Sequence, residues 1–89
     1  MDFSEALYAI KAGKRVARAG WNGAGMWVFY VPGSRFAVEA DRPIGRAAPE
    51  MVGNTANYRP HLDMRTVDGE FVPWVASQTD LLANDWEVV

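Results

Sequence analysis

Two short stretches of the chain gather side chains suited to holding a flat ligand rich in heteroatoms. In Gly20-Trp21-Asn22-Gly23-Ala24-Gly25, three glycines surround an indole and a carboxamide; in the second stretch, Trp74 stands shortly before Ser77-Gln78-Thr79-Asp80. An indole face stacks on a nucleobase for roughly 1–3 kcal/mol, while neighbouring amides, hydroxyls and carboxylates read the polar edges. The glycines permit positive φ and let the backbone come close to a ligand. Arg18 and Arg59 are the best placed phosphate partners, because a guanidinium fork matches phosphate oxygens. The same residues also have commoner uses. A tryptophan in a short chain mostly fills core, and a single arginine is usually a solvated surface group.

Catalytic and metal chemistry have little to work with. There is no cysteine, and the single histidine, His61, stands beside Pro60 with Asp63 two positions on. That pattern suits a hydrogen-bonded structural imidazole, and no serine sits in a nucleophile context. The remaining acids form no spaced metal loop, and Asp68 belongs to an Asp-Gly turn. The Gly-rich stretch lacks the Lys-Ser/Thr of a phosphate loop. The residues thus predict a protein without catalytic machinery, metal or cofactor.

The elements that must position these side chains can be read from periodicity. Phe3, Ala6, Leu7 and Ile10 lie on one helical stripe, with Asp2 and Glu5 spaced as a capping box and Gly13 as the stop. Val16-Ala17-Arg18 is a short extended segment. Met26-Trp27-Val28-Phe29-Tyr30-Val31, ended by Pro32-Gly33, predicts a strand buried on both faces, or with half of it meeting a partner. Phe36-Ala37-Val38 suggests another. Glu39 to Thr55 has no period and mixed charge, which predicts a long surface loop, at about residues 39–57. Tyr58 to Thr66 is strand-like but interrupted by Pro60, the mark of an edge strand or bulge. Asp68-Gly69 predicts a hairpin to Phe71-Val72-Pro73-Trp74-Val75, and Ser77 to Asp80 predicts the start of a short helix before a last strand, Asp85 to Val89. Trp27 and Trp86 are expected in the core. The fold class that follows is α+β: a twisted antiparallel sheet with the N-terminal helix packed on it and a short helix before the last strand.

Size and charge narrow the function classes. A chain of 89 residues is expected to form a single domain over residues 1–89, burying about 60–65% of its unfolded surface. Four Trp, three Tyr and four Phe are many for that length, and small domains without disulfides or metals often complete their cores by oligomerising. A formal charge of −2 disfavours binding to duplex nucleic acid, which needs a positive surface. No apolar run reaches the ~20 residues of a membrane span, and the first residues lack signal-peptide character, so a cytoplasmic setting is expected.

Taken together, the strings Met1-Asp2-Phe3-Ser4-Glu5-Ala6-Leu7, Gly13-Lys14-Arg15-Val16-Ala17-Arg18-Ala19-Gly20-Trp21-Asn22-Gly23, Met26-Trp27-Val28, Tyr58-Arg59-Pro60-His61-Leu62-Asp63-Met64 and Val72 to Leu82, with Asp85-Trp86, resemble the second-type Thoeris anti-defence family of phages and prophages. The resemblance runs from the first helix to the last strand, and Glu39 to Thr55 is its variable part. It implies a homotetramer that captures cyclic ADP-ribose-type signals and holds them intact, with cyclic dinucleotides bound at a separate site in some members. The matched motifs give the positions and side-chain chemistry the roles: Trp21 and Trp74 are expected to stack on base or ribose. Asn22, Gln78 and Thr79 are expected to hydrogen-bond, Asp80 to meet ribose hydroxyls, Arg59 to meet phosphate, and Met26 to line the pocket. Two readings from other classes compete with it: a small phage interaction module whose aromatics make only subunit contacts, and an enzyme that cleaves the signal.

Overall fold

The computed structural model describes residues 1–89. The first helix, α1 (Phe3–Lys11), begins as expected: Asp2 accepts from the Glu5 amide at 2.9 Å and the Glu5 side chain accepts from the Asp2 amide at 3.2 Å. This capping box satisfies two amides that a helix start leaves unpaired. Gly13, at φ 91, ends it. Ala6, Ala9 and Ile10 form its buried face and pack on Val16, Val28 and Trp86. The small residues at 6 and 9 let the helix axis approach the sheet closely.

That sheet has five antiparallel strands, β1 (Val16–Arg18), β2 (Trp27–Val31), β5 (His61–Arg65), β6 (Phe71–Pro73) and β7 (Trp86–Val88), in the order β6-β5-β2-β1-β7. A second, two-stranded ladder pairs β3 (Ser34–Ala37) with β4 (Thr55–Tyr58). The two ladders share one register. Val31 pairs with His61, and three residues further along each strand Ser34 pairs with Tyr58. β2 and β3 thus run against β4 and β5 as one long hairpin, broken where Pro32 and Pro60 come opposite each other. Neither proline has an N–H to donate, so the ladder cannot continue through that step.

Two expectations need correction here. Pro60 does not mark an edge or a bulge: it lies before β5, which is an interior strand pairing with both β2 and β6. Nor is 39–57 a structureless loop. It holds the short helix α2 (Pro43–Ala47), a 3₁₀ turn (Pro49–Met51) and most of β4. Gly45 is buried there, with the Glu39 carbonyl so close that a β-carbon would collide with it. Backbone-on-backbone packing of this kind has no apolar period, which is why the pattern of residues does not reveal it. Val38 and Ala56 are buried in the same arm, and Arg42 covers the Phe36 ring at 4.6 Å.

The arm lengthens the molecule to 46 × 26 × 21 Å and raises the radius of gyration to 16.3 Å. A compact chain of this length would have about 12 Å.

The remaining elements fall where periodicity puts them. Gly69, at φ 82, turns the β5–β6 hairpin. Ser77 caps α3 (Gln78–Leu81) through a second capping box with Asp80. The sheet is covered on one side only. Val16, Val28, Leu62, Met64 and Trp86 face α1 or the residues packed with it. On the opposite face Trp27, Phe29 and Phe71 pack edge to face on one another, with centroids 5.4–5.9 Å apart. Trp27 is therefore not a core residue, whereas Trp86 is, at 2% exposure. β2 meets the expected core with one face only.

Candidate functional site

The Gly-rich turn after β1 is held by a charged network made from four separate parts of the chain. Arg18, the last residue of β1, donates from Nε to Asp85 Oδ1 at 2.8 Å and from Nη1 to Asp80 Oδ1 at 3.0 Å. The Gly20 amide donates to Asp85 Oδ2 at 2.8 Å, and the Trp21 indole N–H donates to Asp80 Oδ1 at 3.2 Å. Ser77 donates its amide to Asp80 Oδ2 at 3.3 Å and accepts the Asp80 amide on Oγ at 3.0 Å. One guanidinium and two carboxylates thus tie β1, the turn, α3 and the start of β7 together.

The electrostatics follow from these bonds. Hydrogen bonds from Arg18, then from the Gly20 amide, hold the Asp85 carboxyl below its ordinary range. Burial pushes the Asp80 carboxyl up, but the hydrogen bonds from Arg18, Trp21 and Ser77 together outweigh it, and the net displacement is downward. Arg18 is raised in turn by its bonds to Asp85 and Asp80. All three groups are charged at neutral pH.

Trp86 is the wall on which the two aromatic stretches meet. Its indole N–H donates to the Asp80 carbonyl at 2.9 Å. Trp21 packs on it edge to face with centroids 5.3 Å apart, and Trp74 does so from another side at 5.9 Å. Phe3 of α1 touches both Trp74 and Trp86. Trp21 and Trp74 are each only partly buried, so each joins the core by an edge and leaves other ring surface open.

The anticipated site residues fall into three places. Trp21, Asn22 and Met26 line one cleft of about 560 Å³ between the Gly-rich turn and the end of the sheet, together with Arg18, Trp27 and Glu87. Arg65 donates from Nη1 to the Gly25 carbonyl at 2.7 Å and fixes the outer lip of that turn. Asp80 stands behind Trp21, its side chain 14% exposed, while Gln78 and Thr79 are exposed on α3 near Trp74. Arg59 belongs to neither group. It precedes β5, level with Gly33 beyond the end of β2 remote from Trp27, about 20 Å along the strand at a rise of roughly 3.3 Å per residue. Arg18, which the residues alone offered as a second phosphate partner, spends its fork on Asp80 and Asp85.

Sequence reasoning did not single out Asp85, Arg65, Ser77 or Glu87 as site residues. Only Ser77 carried a local signal, its capping spacing to Asp80; the others act through neighbours distant in sequence. A second groove of about 570 Å³ lies between α1 and β7, lined by Tyr8, Ala12, Lys14 and Val88 among others. No group of three or more His, Cys, Asp or Glu side chains converges as a metal site, and no helix is long and apolar enough to cross a membrane.

Comparison with known proteins agrees with the motif strings. The chain is 38% identical over 90 residues to Thoeris anti-defense 2 of Bacillus phage SP01, an alignment that covers 100% of this chain and 94% of that protein. Residues 1–89 match the Tad2-like family, described as the Thoeris anti-defense 2-like domain. With the match spanning the strands, the Gly-rich turn and the charged network alike, the chain belongs to the Thoeris anti-defense 2-like family.

Proposed function

We propose that the chain acts as a sponge: it binds cyclic ADP-ribose-type immune signals, such as a glycocyclic ADP-ribose, and withholds them uncleaved from the Thoeris effector. The observation that carries the reading is the cleft beside Trp21. An indole there is oriented by a bond to a charged carboxylate, and a carboxamide, a thioether and glycine backbone surround it. A preformed stacking surface avoids the ordering cost that weakens flexible sites. To outcompete an effector the affinity has to be nanomolar or better, about −12 kcal/mol.

In this reading Trp21 and Trp74 stack on base or ribose, Asn22, Gln78 and Thr79 hydrogen-bond, and Met26 lines the cleft. Asp80 takes ribose hydroxyls through acceptor capacity left over from its internal bonds. The cleft itself carries no free cation, since Arg18 is paired twice and Glu87 is acidic. Arg59 reaches phosphate most simply from another subunit, which favours a homotetramer with pockets shared between copies. A cyclic dinucleotide site, where present, is separate, and the setting of the reaction is the host cytoplasm.

Titration calorimetry with a glycocyclic ADP-ribose, followed by heating and chromatography of the released ligand, tests this directly. Tight binding with intact release is expected. Absence of heat, or recovery of a cleaved product, overturns the sponge. The exposed aromatic face of the sheet favours a second reading, an interaction module without ligand. Indole fluorescence separates the two, because stacking on Trp21 alters emission on adding the nucleotide and a pure subunit contact does not.

A further inference from the structure

The turn over residues 20–25 supplies one wall of the cleft, yet its residue types favour no single conformation. Glycine loses more backbone freedom on ordering than any other residue, so a turn with glycine at 20, 23 and 25 keeps one shape only where it is anchored. Asp85 is the anchor at its entrance. Its main-chain carbonyl accepts the Ala19 amide at 3.0 Å, its Oδ2 accepts the Gly20 amide at 2.8 Å, and its Oδ1 accepts Arg18 Nε at 2.8 Å. The Arg18 carbonyl in turn accepts the Trp21 amide at 3.2 Å. The residue after Asp85 is Trp86, against which the Trp21 ring stands edge to face at an interplanar angle of 79°. Residues 85 and 86 thus grip the backbone and the ring of one short segment, while Arg65 holds the far end of the turn through the Gly25 carbonyl. Asp85 itself does not line the cleft.

We propose that Asp85 is the positioning residue of this cleft: in the ligand-free protein it holds the glycine-rich turn, and with it the Trp21 ring, in the pose that stacks. The need for an acid at this position is geometric. Two donors, the Gly20 amide and Arg18 Nε, reach its two oxygens, one each. A carboxamide has one oxygen and turns its NH2 toward the other donor, so Asn cannot satisfy both. Gly20 meets the same need from the opposite side. A β-carbon there would stand 2.8 Å from Asp85 Oδ2, so the bond between amide and carboxylate requires a residue without one. Asp80 does something different, since its Oδ1 accepts the indole N–H and its remaining bonds cap α3. Asp85 therefore sets where the main chain of Trp21 lies, and Asp80 sets how its ring is turned. Ordering completed on folding adds no cost when the ligand arrives.

The inference rests on the cleft being the ligand site, as in the function proposed above. Its test labels the full chain with 5-fluorotryptophan, so that each of the four indoles gives its own fluorine resonance, and Trp21→Phe identifies the line of Trp21. In ligand-free Asp85→Asn the Trp21 line is expected to shift and broaden while that of Trp27 stays in place, a pattern that a general loss of stability does not produce. Calorimetry with a glycocyclic ADP-ribose is expected to show binding weaker by about tenfold or more in that variant. Combined with Trp21→Ala, the loss is expected to fall short of the product of the two single losses, because Asp85 acts through Trp21. Should Asp85→Asn lose its far-UV circular dichroism, Gly20→Ala carries the same test with every charge retained. An unmoved Trp21 line, an affinity within about twofold of the unchanged protein, or losses that multiply independently overturn the proposal. An unchanged protein that gives no heat with the nucleotide sinks the sponge instead, and the ligand-free fluorine spectra still decide whether Asp85 holds the turn.

Discussion

Trp21 and Trp86 are neighbours in contact but differ in what they do. Trp86 is 2% exposed, with its N–H satisfied by the Asp80 carbonyl, so truncation to Ala leaves a cavity and removes one of the hydrogen bonds that carbonyl accepts. A loss of about 3–5 kcal/mol is expected in urea unfolding, enough to unfold much of a domain of this size. Trp21 keeps open ring surface, and in the proposed function Trp21→Ala costs one stack, about 1–3 kcal/mol of binding. Calorimetry is expected to show binding roughly 5- to 150-fold weaker, with a smaller effect on stability than Trp86→Ala.

Acid dependence belongs to the same scale. Asp80 and Asp85 are both held below their ordinary carboxylate range when folded. In acid the unfolded chain therefore takes up protons at a higher pH than the folded one. Their contribution is fully present above the unfolded value of about 4 and is lost as pH falls below it through the folded values. Thermal melts are expected to be level with respect to these two groups from pH 7 to about 5 and to drop below about 4, with a shallower acid drop in Asp80→Asn.

At the scale of elements, α3 is a single turn that depends on its cap. Ser77→Ala removes the acceptor for the Asp80 amide and loosens the network that orients Trp21. A cost of about 1 kcal/mol in unfolding free energy is expected. The arm offers a contrasting case. Gly45→Ala places a β-carbon against the Glu39 backbone, so α2 must move away from it. Because the arm packs mainly within itself, hydrogen exchange is expected to accelerate around residues 38–56 while amides of β1, β2 and β5 keep their protection.

The whole molecule exposes more apolar surface than a settled monomer of its size should. Only 10 of 89 residues are buried, and the exposed hydrophobics include Tyr8 at 81%, Phe71 at 57% and Leu82 at 78%. In the proposed homotetramer, burial of this surface between copies would make folding and association one equilibrium, so the melting temperature is expected to rise with protein concentration. A melting temperature independent of concentration over a hundredfold range contradicts that coupling.

Local rules in the sequence determined a good part of this protein. The capping boxes at Asp2–Glu5 and Ser77–Asp80, the Asp68-Gly69 turn and the apolar run of β2 act over a few residues, and their outcome hardly depends on context. The α+β class and the family strings follow from such stretches. Tertiary structure alone decided the rest, because it turns on groups far apart in the chain. Arg18 meets Asp80 and Asp85 across more than sixty residues and becomes a structural clamp in place of a free cation. Gly45 folds an aperiodic stretch through a backbone contact, and a register shared across two facing prolines makes one long hairpin of four strands. Which face of β2 is covered and which is left open was settled by where α1 docks, since side chains alternating at period two are apolar on both sides of this strand.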